Sequence, residues 1–406
     1  MKMLLSSCIA LALSATASAD TFIVDSIPGP FTDFEHVQEA VDSPLVSSGD
    51  VLLVRPGIYP RFSTNKGLTI RGIGPTPDSV RFTLDLPDGS PAQLSYVSFD
   101  QCIENAVLSN VQFTDWIRVA RCQGTVRLLD LEAPEYGIED CGDVRVENSE
   151  GTMPSEAGVW VSNQSIVEFL GCDFGRSLRV SSQSRVRVAN TQIRGVQGAD
   201  VQFAFQCCGE DGEPGVKVSG GSLVHLVGTL GDAIQGGRGG WGYDIPSDGS
   251  GGAAIEATPG SRVRSSGYEL IGGFDPEHTQ QAPAFQGLAS DFTIPAIDDP
   301  LLIRTGSFAT GQLSTFTVHG PTDSFYYLFA GIANVTIPLP NVVGFLKTTP
   351  MIPLVIANLD GIGQADYNFV MPAGLPLGFQ VTVQSGLVYS ADNSTRLTNP
   401  ATVFVE

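Results

Sequence analysis

Apolar and polar residues alternate in short runs through the middle of the chain, and one arrangement of those runs recurs. It reads apolar–x–small apolar, three residues, then Ser-x-Val-x-residue. The copies are Val159-Trp160-Val161 with Ser165-Ile166-Val167-Glu168-Phe169, Leu178-Arg179-Val180 with Ser184-Arg185-Val186-Arg187-Val188, Val216-Lys217-Val218 with Ser222-Leu223-Val224-His225-Leu226, and Ile255-Glu256-Ala257 with Ser261-Arg262-Val263-Arg264-Ser265. Alternation by two is the period of a strand with one buried face. Weaker copies centre on Val126 and Val144. The valines at 126, 144, 167, 186, 224 and 263 recur about every 20 residues, the last two gaps doubled, as stacked β coils require.

Ahead of the repeat, Thr32 with Glu35 has the form of a capping box, and Phe34, Val37 and Val41 follow at helical spacing. The spacing predicts a short amphipathic helix over residues 34–42 that plugs the open end of the stack. A buried strand, Val51-Leu52-Leu53-Val54, and the turn Pro56-Gly57 come next. Phe34-x-x-Val37-Gln38-x-Ala40-Val41-Asp42 followed by Gly49-Asp50-Val51-x-Leu53-Val54-x-Pro56-Gly57-x-Tyr59 resembles the opening of right-handed parallel β-helix proteins of the pectin-lyase-like superfamily. The resemblance covers residues 21–273. It implies a fold and not a reaction, because that superfamily includes lyases, hydrolases, esterases, adhesins and phage-tail proteins.

The expected organisation is a leader over residues 1–19, an N-capped right-handed parallel β-helix over 20–274, a linker over 275–300 and a small β-sandwich over 301–406. In the last part separate strands are predicted at Thr315-Phe316-Thr317-Val318, Phe325-Tyr326-Tyr327-Leu328-Phe329, Val335-Thr336-Ile337, Val355-Ile356, Phe379-Gln380-Val381-Thr382-Val383-Gln384 and Ala401-Thr402-Val403-Phe404-Val405. The run Pro372-x-x-Leu375-x-Leu377-Gly378 with Thr382-x-Gln384 resembles C-terminal domains of exported proteins from planctomycete-like bacteria.

Lys2, the apolar residues 3–15 and Ala17-Ser18-Ala19 have the form of a secretory signal. The expected destination is extracellular, cell-surface or periplasmic, and no later stretch is apolar enough for a membrane span. The formal net charge of −21 disfavours nucleic acid as a partner. Cys102, Cys122 and Cys141 fall on neighbouring coils, where both a disulfide and a ladder of free thiols are consistent with the spacing.

Chemistry is sparse. Asn-Thr-Asp, Asp-Asp, Gly-His-Gly and Arg-Ile-Lys, the polygalacturonase set, do not occur together, and Asp298-Asp299 reads as a solvated turn. Arg185, Arg187, Arg262 and Arg264 alternate with Ser and Val at outward positions and read as a solvated strand face; His225 reads as an exposed histidine. No catalytic residue and no metal ligand is assigned. Two insertions, at residues 207–215 and 231–252, both end before the same strand of the repeat and so should leave one edge of the stack side by side. Glu210, Asp211 and Glu213 on the first are expected to face Trp241, Tyr243, Asp244 and Asp248 on the second. Aromatic faces stack on sugars, and clustered carboxylates accept hydroxyl hydrogen bonds or hold Ca²⁺. The competing expectation is a pair of flexible Gly-rich loops. The sequence thus points to a non-catalytic protein binding a polysaccharide or a cell-surface component, with a β-helix polysaccharide lyase or glycoside hydrolase as the alternative.

Overall fold

The computed structural model describes residues 19–83, 96–151, 158–200, 208–229, 231–242, 248–294, 299–306, 311–339, 342–343, 345–349, 351–370, 380–389, 393–398, 400 and 401–404. The chain is all-β, with two long parallel sheets, one of eighteen strands and one of nine. The repeat valines stack one on another: Val126 pairs with Val144, Val144 with Val167, Val167 with Val186, Val186 with Val224 and Val224 with Val263. Each is essentially buried, inside a single core that runs from Val24 to Val263. Full burial of a valine contributes about 1.5–3 kcal/mol, so in-register stacking is strongly favoured over a one-residue slip that would turn the row outward.

The repeated serine closes a corner. Ser165, Ser184, Ser222 and Ser261 are buried. The Ser165 and Ser184 hydroxyls donate to the carbonyls of Ser162 and Ser181. The row also ties neighbouring coils, the Ser165 hydroxyl accepting from the Cys141 amide, that of Ser222 from the Ser184 amide and that of Ser261 from the Gly221 amide. Before these serines the chain turns through left-handed pairs, Asn163-Gln164, Ser182-Gln183 and Gly220-Gly221. A second bend uses single left-handed residues, among them Asn110, Asp130, Asn148 and Asn190, a conformation asparagine and aspartate tolerate.

The cap helix, α1 (Val37–Asp42), buries Val37, Ala40 and Val41 as expected. It starts later than the capping box implies. Its N-cap is His36, which makes no side-chain cap, while the Glu39 carboxylate reaches back to the Glu35 amide. The Thr32 hydroxyl instead accepts from Gly29 in the preceding turn.

Part of the expected linker, residues 285–293, belongs to the stack. Phe285–Gln286 and Phe292–Thr293 pair in parallel with Ile255–Ala257 and Arg262–Ser266, adding one more coil. Beyond it, Leu301–Gly306, Leu313–His319 and Gln364–Val370 form an antiparallel sheet. Phe325–Gly331, Ile352–Asn358, Gln380–Val388, Thr395–Leu397 and Ala401–Phe404 belong to another. Leu302, Phe316 and Val318 from the first share a core with Leu328, Val383 and Leu387 from the second. The run Pro372-x-x-Leu375-x-Leu377-Gly378, together with Phe379 and Val405, lies outside the described residues.

These C-terminal sheets cover a face expected to be solvated. Arg127, Arg145, Glu168, Arg187, His225 and Arg264 stack as one outward row on consecutive coils. Leu170, Ala189 and Val227, one row along, pack against Leu301 and Ile303. Arg127 and Arg145 are fully buried as a result. Lys347 enters from the C-terminal part to lie 3.5 Å from Asp143 and 4.0 Å from Glu168. Asp299, expected in a solvated turn, is a buried hub. It bonds His225 Nε2 at 2.8 Å, Arg264 at 2.7 and 3.1 Å, and Arg396 at 3.0 Å. Its partner Asp298 lies outside the described residues. The expectation for His225, Arg187 and Arg264 therefore fails in part, because a second layer of sheet leaves them half-buried; Arg185 and Arg262 remain exposed.

Candidate functional site

The two insertions leave the stack where expected, returning into Val216–Val218 and Ile255–Ala257, which are neighbours in the nine-stranded sheet. The hydrogen bonds among their described residues have a period of three. The amides of Gly195 and Gly198 donate to the carbonyls of Gln235 and Arg238; those of Gly212 and Gly215 donate to Ser250 and Ala253. Running the opposite way, Gly237 and Gly240 donate to Glu213 and Glu210, and Gly252 and Gly249 to Gly237 and Gly240. A bond at every third residue is the geometry of polyproline II helices, three residues per turn, packed side by side. Glycine is required where they touch: a Cβ on Gly198, Gly237 or Gly252 would overlap a carbonyl oxygen of the adjoining segment. Outgoing limbs of successive coils lie parallel, as do the returning limbs, so a glycine-rich bundle projects from one edge of the stack.

This geometry separates the predicted site residues. Trp241, 43% exposed, stands toward the outer end of the bundle, its amide held by the Asp200 carboxylate. The carboxylates of Asp248 and Asp211 accept from the Gly242 and Ser250 amides, which fastens limbs together. Glu210 contributes its backbone to the bundle and its side chain is exposed. Glu213 turns the other way, toward the stack, where it pairs with Arg179 and accepts from Ser177. Tyr243 and Asp244 lie outside the described residues. Among the described residues no group of three or more His, Cys, Asp or Glu side chains is placed to hold a metal ion.

Glu213 opens onto the feature that sequence reasoning missed. Between the returning limbs and the outer face of the nine-stranded sheet runs a cleft of about 900 Å³, within the range of ligand sites. Its walls include Trp160, Arg179, Asp211, Glu213, Lys217 and Glu256. Trp160, Arg179, Lys217 and Glu256 are consecutive outward positions in register. At the far side of Trp160 the same face continues as an aromatic row. Trp160 lies 5.7 Å from Trp116, and Trp116 lies 4.5 Å from Tyr96, centroid to centroid, with all three rings half-buried.

Each element of the row is fixed. Gly137 occupies the strand position between Arg118 and Trp160, and a Cβ there would come 2.6 Å from the indole, so glycine lets Trp160 fold across its neighbour. The indole Nε1 donates to Glu135 at 2.9 Å. Burial holds the Glu135 carboxyl above the usual range, opposed by that hydrogen bond, with the nearby Asp115 charge adding to the rise. The Arg118 guanidinium sits 5.9 Å from the Tyr96 ring and 3.1 Å from Glu139. Burial alone would lower Arg118, but its bonds to Glu139 and Tyr96 outweigh that and raise it.

Cys102, Cys122, Cys141 and Cys172 are buried free thiols, so none of them forms a disulfide. Cys207 lies outside the described residues. Hydrogen bonding to Cys122, and burial, hold Cys102 and Cys141 protonated; burial raises Cys172 to about 12. Among the described residues no helix is long and apolar enough to cross a membrane. Comparison with family models, curated proteins and solved structures finds no significant match.

Proposed function

We propose that this chain is an exported, right-handed parallel β-helix protein of pectin-lyase-like type, with a C-terminal β-sandwich, that binds an extended glycan without transforming it. The leader-like N-terminus supports export to the outside, the cell surface or the periplasm. The observation that carries the reading is Trp160, which belongs at once to the aromatic row and to the wall of the cleft. The two together make one trough along the stack axis, suited to a polymer rather than a compact ligand. Ring faces supply the stacking surface that sugars use, and flanking charged pairs supply hydrogen bonds. This moves the expected binding edge from the outer end of the glycine-rich bundle to its base.

Affinity electrophoresis through gels containing soluble polysaccharides tests the reading. Retardation by at least one polymer is expected, with loss of about tenfold or more in affinity on Trp160→Ala, since stripping a central aromatic anchor commonly costs 2 kcal/mol or more. A second reading, a glycoside hydrolase, draws on Glu135, whose raised carboxyl suits a general acid beside Asp115. Release of reducing ends that disappears in Glu135→Gln with binding intact would replace the first reading by the second.

A further inference from the structure

Every cation of the trough is already matched. Arg118 is paired with Glu139, Arg179 with Glu213, and Lys217 with Glu256 at 3.1 Å. Asp211 and Glu135 add acid without a cation of their own, Asp211 accepting from a backbone amide and Glu135 from an indole. The trough therefore carries more negative than positive groups, in a chain of net charge −21. A polyanion threaded here would have to break three ion pairs and would meet repulsion from the carboxylates released. Hydroxyl groups face neither cost. A carboxylate accepts from one hydroxyl while the adjoining guanidinium or ammonium donates to the next, so each pair presents acceptor and donor side by side. The remaining polar lining is of the same kind: Ser162, Ser181 and Ser250 offer hydroxyls.

We infer that the trough selects an uncharged polysaccharide, rich in free hydroxyls, and discriminates against uronate- and sulfate-bearing chains. The inference rests on the glycan reading of the same trough and adds the ligand's charge class. It also assigns Glu139 and Glu256 as specificity residues, whose work is to occupy cations that would otherwise recruit anions.

The test sets the intact protein against neutral polymers (β-glucan, mannan, arabinoxylan) and anionic ones (polygalacturonate, alginate, a sulfated galactan) in the same buffer, with Glu256→Gln and a Glu139→Gln/Glu256→Gln double variant alongside. The wild-type protein should bind a neutral polymer at least about tenfold more tightly than any anionic one, the scale of discrimination like-charge repulsion provides. The double variant should gain anionic binding about tenfold, and that gain should vanish at high salt because it comes from exposed charges. Equal or tighter wild-type binding to an anionic polymer would overturn the charge-class inference and leave the glycan reading standing. Retention of no polymer of either class, by protein whose unfolding transition is intact, would overturn both. Failure of the double variant to gain anionic binding while folded removes the role assigned to Glu139 and Glu256.

Discussion

Trp160 lies over Gly137, its indole filling the space a side chain would take on the adjoining strand and its Nε1 held by Glu135. The platform is thus made by an absence on one coil and an aromatic on the next. Gly137→Val should lift the indole from its seat while leaving the inward row intact. A red-shifted tryptophan emission with weakened polymer binding, at nearly unchanged far-ultraviolet dichroism, is expected. Unchanged emission and binding would mean that the ring's position does not depend on Gly137.

Asp299 ties the C-terminal sheets to the stack through His225, Arg264 and Arg396. Its side chain is 2% exposed, and removing the charge takes their shared carboxylate from Arg396 and from the partly exposed Arg264 and His225, so the cost should fall below the about 3–5 kcal/mol of a wholly buried pair. Asp299→Asn should lower the melting temperature and make the protein more susceptible to limited proteolysis.

The same hub makes stability depend on pH. Burial lowers His225 below its ordinary 6.5, opposed by its bond to Asp299. The unfolded chain therefore takes up that proton first, so stability is full above about pH 6.5 and declines as pH falls toward the folded value. Asp299 is also lowered from 3.8: burial would raise it, but His225 and Arg264 outweigh that. Its contribution is full above about pH 4 and is lost in stronger acid. Thermal melts between pH 8 and 3 should show both declines, and His225→Gln should abolish only the upper one. An unaltered profile in that variant would place the titrating group elsewhere.

The glycine-rich bundle should tolerate no side chain at its contacts. Gly237→Ala puts a methyl group into the Val196 carbonyl, whereas Gly361→Ala meets nothing within 4 Å. The first should cost about 2 kcal/mol or more, in the range of forced overpacking, and speed amide exchange at Gly195 and Gly252. The second should be close to neutral. Equal stability of the two variants would refute close packing of the limbs.

Thiol labelling distinguishes a ladder from a bridge. In the native protein Cys102, Cys122, Cys141 and Cys172, all buried, should react with a thiol reagent only after denaturation. Their failure to react even in denaturant without reductant would indicate disulfides.

The inward row could be read from sequence because valine at every second position leaves one register that buries it, and the structure pairs those valines one to one. The outward face is harder, since an alternating strand looks the same whether water or a second sheet covers it. A clue was present: Phe169-Leu170, Val188-Ala189 and Leu226-Val227 break the alternation by placing an apolar residue outward, and the second member of each pair meets Leu301 or its neighbours. The aromatic row escaped notice because Trp116 and Tyr96 precede the clear copies of the repeat, and Gly137 has no side chain to mark its role. The bundle escaped because glycine carries no hydrophobic period. Its period of three stands in Gly209, Gly212 and Gly215 and in Gly236, Gly239 and Gly242. The Asp299 hub was illegible for another reason, since its cations come from positions far apart in the chain.

In-register stacking of the coils also makes the molecule a ruler. Each coil advances the outer face by one strand spacing, about 4.8 Å. Inserting or deleting a whole coil would therefore change the length of the trough in fixed steps, while the C-terminal sheets that span several coils would have to find a new register on the stack. The number of valines in the row, more than any residue in the trough, would then set how long a chain the protein can measure.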